Sequence, residues 1–478
     1  MSRARRFETL ARGALVAAWL GAGAAGSAWA QSARVDVAPA SDSPAQVVPG
    51  EVARETLDES TPIVRQVNTI LRLDRLRGRT VDDVARELAA VGPAVIQPAF
   101  EILAGTLPGP IAEGSPMPPR GTPEPSDVIL AAFARLGSRD VARHVLARLD
   151  AETPLVVRLV ALRVLGDAVG EGGLDAWTRV AGDIDPAVSR QAFVLRACES
   201  SLTSVLSRDA RSMQALGSRG GSRLQTLPDH LRKIAWNAIA SSRRASGIGA
   251  LTTELAHADD ASERRMLLGC LSRLVQSTTG DMTDDELAWI RPLCADDDLE
   301  LRREALLTLG RVHAAREHAV LVENLQHPDP RVRGAARWSL ERLSGAEWGD
   351  DPEAWTRWFD AQWAWYAEQV DRLHRAIEIR VPEKSIEAAR AWSERRLFRH
   401  HAAREIVDLC NASDANLVRQ GCVVLREIGS PAAIPGLVES LSSDDPAVRD
   451  AVRGTLRFLT GLDLPPDAKP WRAALLGR

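Results

Sequence analysis

The chain has 478 residues, of which 45% are apolar and 26% charged, so a core can form and wholesale disorder, collagen, a disulfide-stapled miniprotein and a many-spanning membrane protein are excluded. Only one Tyr and seven Phe accompany 13 Trp, and the formal net charge is −4. A mildly acidic chain is a poor candidate for wrapping nucleic acid, and no nucleic-acid partner is expected.

Residues 1–30 have the layout of a secretory signal peptide. Arg3, Arg5, Arg6 and Arg12 form a basic start, Ala14 to Leu20 an apolar centre, and Ala28-Trp29-Ala30 the small residues of a cleavage site. The uncharged run from Gly13 to Ala33 is also just long enough to anchor the chain in a bilayer. Gly21, Gly23, Gly26 and Ser27 weaken its second half, which favours cleavage. The expected product begins at Gln31, lies in the periplasm or envelope of a bacterium, and no longer spans a membrane. Arg5-Arg6 sits one residue off the twin-arginine spacing, and no Cys follows the cleavage site, so the general secretory route and an unlipidated product are expected.

Residues 31–60 lack an apolar period and read as a disordered tether. Helical repeats are expected over 61–346, interrupted at 108–125, where seven prolines fall in eighteen residues. A glycine-rich break follows at Gly217–Ser222. A Trp-rich helical segment is expected at 347–403, and further repeats at 404–478. Between the breaks one pattern returns: Asp, a short spacer, Val or Leu followed by Arg, then a helix-period apolar run. Asp329-Pro330-Arg331-Val332-Arg333 and Asp445-Pro446-Ala447-Val448-Arg449 are its clearest copies. Weaker ones start at Asp185, Asp260, Asp298 and Asp414, and the Arg slots at 302 and 333 lie 31 residues apart. Such spacing fits one helical hairpin per unit.

Each part of the pattern has a physical reason. Asp caps a helix N-terminus, Pro suits the first helical position, and Gly345 and Gly461 end the helices in a left-handed conformation. The slot arginines, Arg333 and Arg449, are expected to reach the Asp of a neighbouring unit. The stretches Asp329–Gly345 and Asp414–Gly461 resemble HEAT-type repeats, in the short form also found in phycobilin lyases. The resemblance implies an all-α fold, an α-solenoid of stacked helical hairpins, whose usual work is holding other macromolecules. Its motif residues are architectural, so it supplies no catalytic residue.

A longer internal match is more specific. Asp329–Trp355 aligns without a gap on Asp445–Trp471, with eleven of 27 residues identical. The shared tail, a Gly with a Trp ten residues on, resembles an extension of bacterial envelope HEAT-repeat proteins of unknown role. Both copies close a repeat block, so Trp355 and Trp471 are expected to cap the exposed end of a hydrophobic stack.

The sequence has no phosphate loop, G-x-S-x-G, H-E-x-x-H or EF-hand loop. His401 and Glu405 lie one turn apart, but two ligands do not make a metal site, and no metal, cofactor or catalytic residue is expected. Arg395, Arg396 and Arg399 interleave with Trp392, Leu397 and Phe398, as on a solvated helix face. Cys198, Cys270, Cys294, Cys410 and Cys422 lie in apolar helical stretches and read as small buried hydrophobes.

Six tryptophans fall between Trp338 and Trp365. On a helix opening at Asp351, Trp355, Phe359, Trp363, Tyr366, Val370 and Leu373 share a stripe of about 80°, an ordinary core face. Trp358 and Trp365 share a flank. Packing on a neighbouring helix is the plain reading of that flank; an aromatic patch for a protein or glycan partner is the sharper one. The expected function is a non-enzymatic scaffold binding a protein in the cell envelope. A phycobilin-lyase-like enzyme and a glycan-binding module are the alternatives.

Overall fold

The computed structural model describes residues 57–109, 122–170, 172–189, 191–208, 212–213, 216 and 223–476. The signal peptide, the tether up to residue 56, positions 110–121 of the proline-rich loop and the Gly217–Ser222 break lie outside the described residues. Among those described, every regular element is helical, and no helix is long and apolar enough to cross a membrane. Contacts divide the chain into two compact units, one comprising the chain up to Val205 with Pro228–Ile234, the other Leu206–Leu227 with Ala235 onward.

In the first unit, Val81–Ala90, Pro125–Phe133 and Leu155–Ala168 pack in succession as one layer. Ile96–Leu103, Ser138–Ala147 and Gly173–Gly182 form the opposing layer. Leu155–Ala168 shows why two layers are needed: Leu159, Val160, Leu162, Val164 and Leu165 are all buried, so the helix is covered on more than one face. A Cβ on Gly166 would lie 2.9 Å from the Cα of Ser201, and only glycine lets the two backbones come so close.

The second unit repeats the plan. Ala261–Ser277, Leu299–Arg311 and Pro330–Ser344 stack as one layer, and Pro382–Ser393, Ala415–Ile428 and Pro446–Thr460 stack likewise. The shorter helices Gly247–His257, His318–Asn324, Arg399–Ile406 and Ile434–Ser440 pair with them. The 27-residue helix Pro352–Glu378 packs on His318–Asn324 before it and on Pro382–Ser393 and Arg399–Ile406 after it. The segment 347–403, read from sequence as a separate block, therefore holds a place within the array.

The repeat motif is local hydrogen bonding. Asp329 accepts from the Arg331 N–H at 2.7 Å and Asp445 from Ala447 at 2.8 Å. Asp298, Asp351 and Asp414 each accept two such bonds. Pro330, Pro352 and Pro446 open their helices, and Gly345 and Gly461 close theirs at φ +77° and +72°. The arginine slot departs from expectation. The Arg333 guanidinium donates to the carbonyls of His327 and Pro328 at 2.9 and 2.8 Å, and Arg449 does the same to Ser443 and Asp444 at 2.7 and 2.9 Å. Each arginine thus closes the turn of its own hairpin, where loop carbonyls just past a helix end lack partners. Reach to a neighbouring acid is secondary, with Arg333 3.8 Å from Asp350 and Arg158 3.3 Å from Asp183.

Candidate partner-binding surface

The site is built on the first copy of the duplicated motif. After Gly345 the chain makes a short loop to Asp351, held from both ends. Ser344 Oγ accepts from the Ala346 N–H at 3.0 Å, and the Trp355 indole donates to the Gly349 carbonyl at 2.9 Å. In the second copy Thr460 Oγ1 accepts from Leu462 at 3.1 Å, and the Trp471 indole donates to Pro465 at 2.8 Å. All four bonds fall at equivalent positions. Both tryptophans are fully buried, but Trp355 does not cap the end of a stack. It begins the long helix, and the array continues beyond it. The Trp is a clasp that fixes a loop to the helix that follows.

The clasp positions an aromatic flank. Trp348, exposed by 36%, meets Trp355 edge-on with centroids 4.8 Å apart, and Trp358 lies 5.6 Å from Trp348. Two turns on, Trp365 stacks on Phe398 at 6.2 Å, with the Arg395 guanidinium 4.4 Å from the Trp365 ring centroid. Arg395 also donates to Gln362 at 3.4 Å, which lies between the two tryptophans on the same face. Trp358 and Trp365 are half-buried, so they are neither a fully packed seam nor a free patch. The core stripe is also shorter than the spacing predicts. Trp355, Phe359 and Leu373 are buried, whereas Trp363, Tyr366 and Val370 are only half-buried.

A second exposed ring borders a shallow groove between Leu299–Arg311 and Pro330–Ser344. Trp338 is 38% exposed, carries the Arg342 guanidinium 5.4 Å from its ring, and lines a cavity of about 690 Å³ with Arg303, Leu307 and Arg331. Its spacing of four from Arg342 was legible in the sequence as a helical pair.

Arg342 belongs to a basic cluster with Arg396 and Arg399. Arg396 is exposed, as a solvated face requires, and its guanidinium also lies across the helix end, 3.0 Å from the place a Cβ would take on Gly345. Arg342 is in the last turn of that same helix. Burial, and then the Arg396 and Arg311 charges, push Arg342 below its usual range. Arg399 is lowered by burial and then by Arg342 and Arg396. The neighbouring imidazoles are neutral. Burial and the Arg399 charge bring His313 down to about 3, and burial with His313 beside it brings His400 down to about 2. Their rings meet edge-on at 4.7 Å, His313 contacts the Leu397 carbonyl at 3.0 Å, and His400 contacts Ser430 Oγ at 2.7 Å. These contacts are structural: the two rings tie the Arg396–Phe398 turn and the Ser430 cap to the array.

His401 and Glu405 do not converge on a common point. Their nearest nitrogen and oxygen are 4.0 Å apart, while Glu405 takes His374 Nδ1 at 2.5 Å and holds that imidazole above its ordinary range. Among the described residues no three His, Cys, Asp or Glu side chains are grouped so as to hold a metal ion. The thiols are sealed: burial raises Cys198 and Cys294 to about 12.

No curated protein matches the chain. Residues 248–341 match the family model for HEAT repeats, over the three hairpins from Gly247–His257 to Pro330–Ser344. With its paired helices stacked in two layers, the protein is an all-α solenoid carrying HEAT-type repeats.

Proposed function

We propose that the protein is an exported, non-enzymatic scaffold of the bacterial cell envelope, holding a protein partner against the aromatic flank of the Pro352–Glu378 helix. HEAT repeats commonly serve as interaction scaffolds and are typically non-catalytic. The observation that carries the reading is the half-open row of Trp348, Trp358 and Trp365 edged by Arg395. Large rigid rings give contact area at low entropic cost, and a guanidinium beside them offers directed hydrogen bonds, the usual make-up of interface anchors. Export is supported by the basic, apolar and small-residue order of residues 1–30.

Affinity purification from envelope extracts tests both halves. A reproducible protein partner lost with Trp358→Ala/Trp365→Ala supports the scaffold, whereas retention on polysaccharide assigns the same rings to a glycan. Mass spectrometry of the protein from its host should find an N-terminus at Gln31. An intact peptide containing Arg12 in the mature protein refutes cleavage.

A further inference from the structure

Of the five buried cysteines, Cys410 and Cys422 are in contact with each other. Cys410 lies in the short helical turn Val407–Asn411, and Cys422 near the middle of Ala415–Ile428. Their sulfurs are 3.7 Å apart, and each residue is 1% exposed. The neighbouring residues hold the two backbones together: a Cβ on Gly421 would stand 3.1 Å from the Cβ of Leu409. A larger residue there would push the turn from the helix. Cys294 instead faces the Ile290 carbonyl, and Cys270 faces Asn237.

We infer that Cys410 and Cys422 form an intramolecular disulfide in the mature protein, an inference that rests on the export reading above. An S–S bond is about 2.05 Å long, so each sulfur moves by about 0.8 Å, a change that side-chain rotation supplies when the backbones are already adjacent. Disulfides persist in oxidising compartments, and the pair lies where such a bond would staple the turn Val407–Asn411 to the next helix across the Asp414 cap.

The chemistry is thiol–disulfide exchange with a disulfide-bearing oxidant, either a thiol oxidoreductase or glutathione disulfide. The hydrogen bond shared by the two thiols lowers Cys422 and raises Cys410, which makes Cys422 the first to ionise. Cys422 loses its proton, attacks one sulfur of the oxidant, and breaks the oxidant's S–S bond to release one thiolate. Cys410 then loses its proton and attacks the Cys422 sulfur of the mixed disulfide, releasing the second thiolate. Two protein thiols give up two protons and two electrons, and the oxidant disulfide becomes a dithiol. Because both sulfurs are sealed, the exchange takes place before the C-terminal repeats close, or in a locally opened state of them.

The test uses the purified full-length protein refolded in glutathione buffers of graded redox poise, quenched in acid, then alkylated in denaturant and mapped by mass spectrometry. The expected result is a linked Cys410–Cys422 peptide, with Cys198, Cys270 and Cys294 alkylated. In Cys410→Ala/Cys422→Ala, which keeps the interior apolar, reductant should no longer lower the melting temperature as it does in wild type. Five alkylated thiols at every poise overturn the inference. A second arm alkylates the protein in host cells before lysis. The linked peptide there confirms the bond in the mature protein. Five free thiols in cells, with a linked pair in buffer, overturn it through its premise, showing that export rather than the geometry has failed.

Discussion

Replacing Trp358 and Trp365 together by Ala separates a binding flank from a core seam, with Trp355→Ala as the internal standard. Trp355 is fully buried and its indole N–H is bonded to Gly349. Its loss removes a large buried ring at about 3–5 kcal/mol, and leaves a carbonyl without its partner at about a further 1 kcal/mol. Trp358 and Trp365 are half-buried, each with one face on a neighbouring ring. Each truncation therefore removes about half of the apolar contact, or about 1–2 kcal/mol. Urea unfolding of the full-length protein, followed by circular dichroism, should find the double variant destabilised less than Trp355→Ala or about as much. Retention of the partner should be lost in the double variant under conditions where it remains folded. A double variant that binds as wild type refutes the flank as the site. A double variant much less stable than Trp355→Ala refutes the half-open geometry and makes the flank core.

Asp445→Ala removes the cap bond to Ala447 and should cost about 1 kcal/mol in urea unfolding, with partner binding unchanged; lost binding at unchanged stability contradicts the architectural reading of the motif. Gly310→Ala should cost about 1–3 kcal/mol, because the new Cβ would lie 2.8 Å from the Ser339 Cα. Gly334→Ala, on the adjoining helix with open space at its Cβ, should instead stabilise by about 0.5–1 kcal/mol; equal effects at the two glycines contradict the close helix approach. His313 and His400 titrate in the fold near 3 and 2, below the ordinary 6.5. The unfolded chain therefore binds protons first, so their contribution is full above about pH 6.5 and is lost as the pH falls toward 3. His374 has the opposite sign: its raised value adds stability below about 6.5 that is lost as the pH rises through the folded value. His400→Gln should flatten the acid limb of the urea midpoint between pH 6 and 4, and an unchanged limb contradicts the neutral buried ring.

What was legible in the sequence is what is local. An Asp followed by Pro and a helix-period run specifies a capped helix within five residues, and a Gly at the end specifies its left-handed stop. The hairpin layers follow because each helix carries an apolar face that needs a partner. The arginine slot was misjudged because its nearest acceptors are loop carbonyls, which every residue has and no composition marks. The aromatic stripe was overestimated for a reason of length. Pro352–Glu378 has 27 residues, whereas the helices packed on it, Pro382–Ser393, His318–Asn324 and Arg399–Ile406, have twelve, seven and eight. Short neighbours cannot cover a long helix, so Trp363, Tyr366 and Val370 stay half-open although their spacing is that of a core face. The convergence of Arg342 with Arg396 and Arg399 joins parts of the chain that only the packing of Pro330–Ser344 on the Arg396–Phe398 turn brings together.

The two copies of the duplicated motif separate architecture from function. Gly345, Asp351 and Trp355 recur as Gly461, Asp467 and Trp471, and their hydrogen bonds fall at matching positions. Those residues build a clasped turn wherever one is needed, and their repetition argues against a specific ligand. The surface residues do not recur. At the places of Trp338, Arg342 and Trp348 the second copy has Gly454, Phe458 and Leu464, and three residues past the match, where the first copy has Trp358, it has Ala474. The same scaffold thus carries a partly exposed group of aromatic and basic residues in one copy and none of them in the other. Phe458, 62% exposed, leaves the second copy with a different surface rather than a weaker version of the first. Grafting Leu, Ala and Gly onto Trp348, Trp358 and Trp338 makes that comparison directly. The clasp should hold, with a fully cooperative unfolding transition, while partner retention disappears; retention by the grafted protein places the binding surface elsewhere.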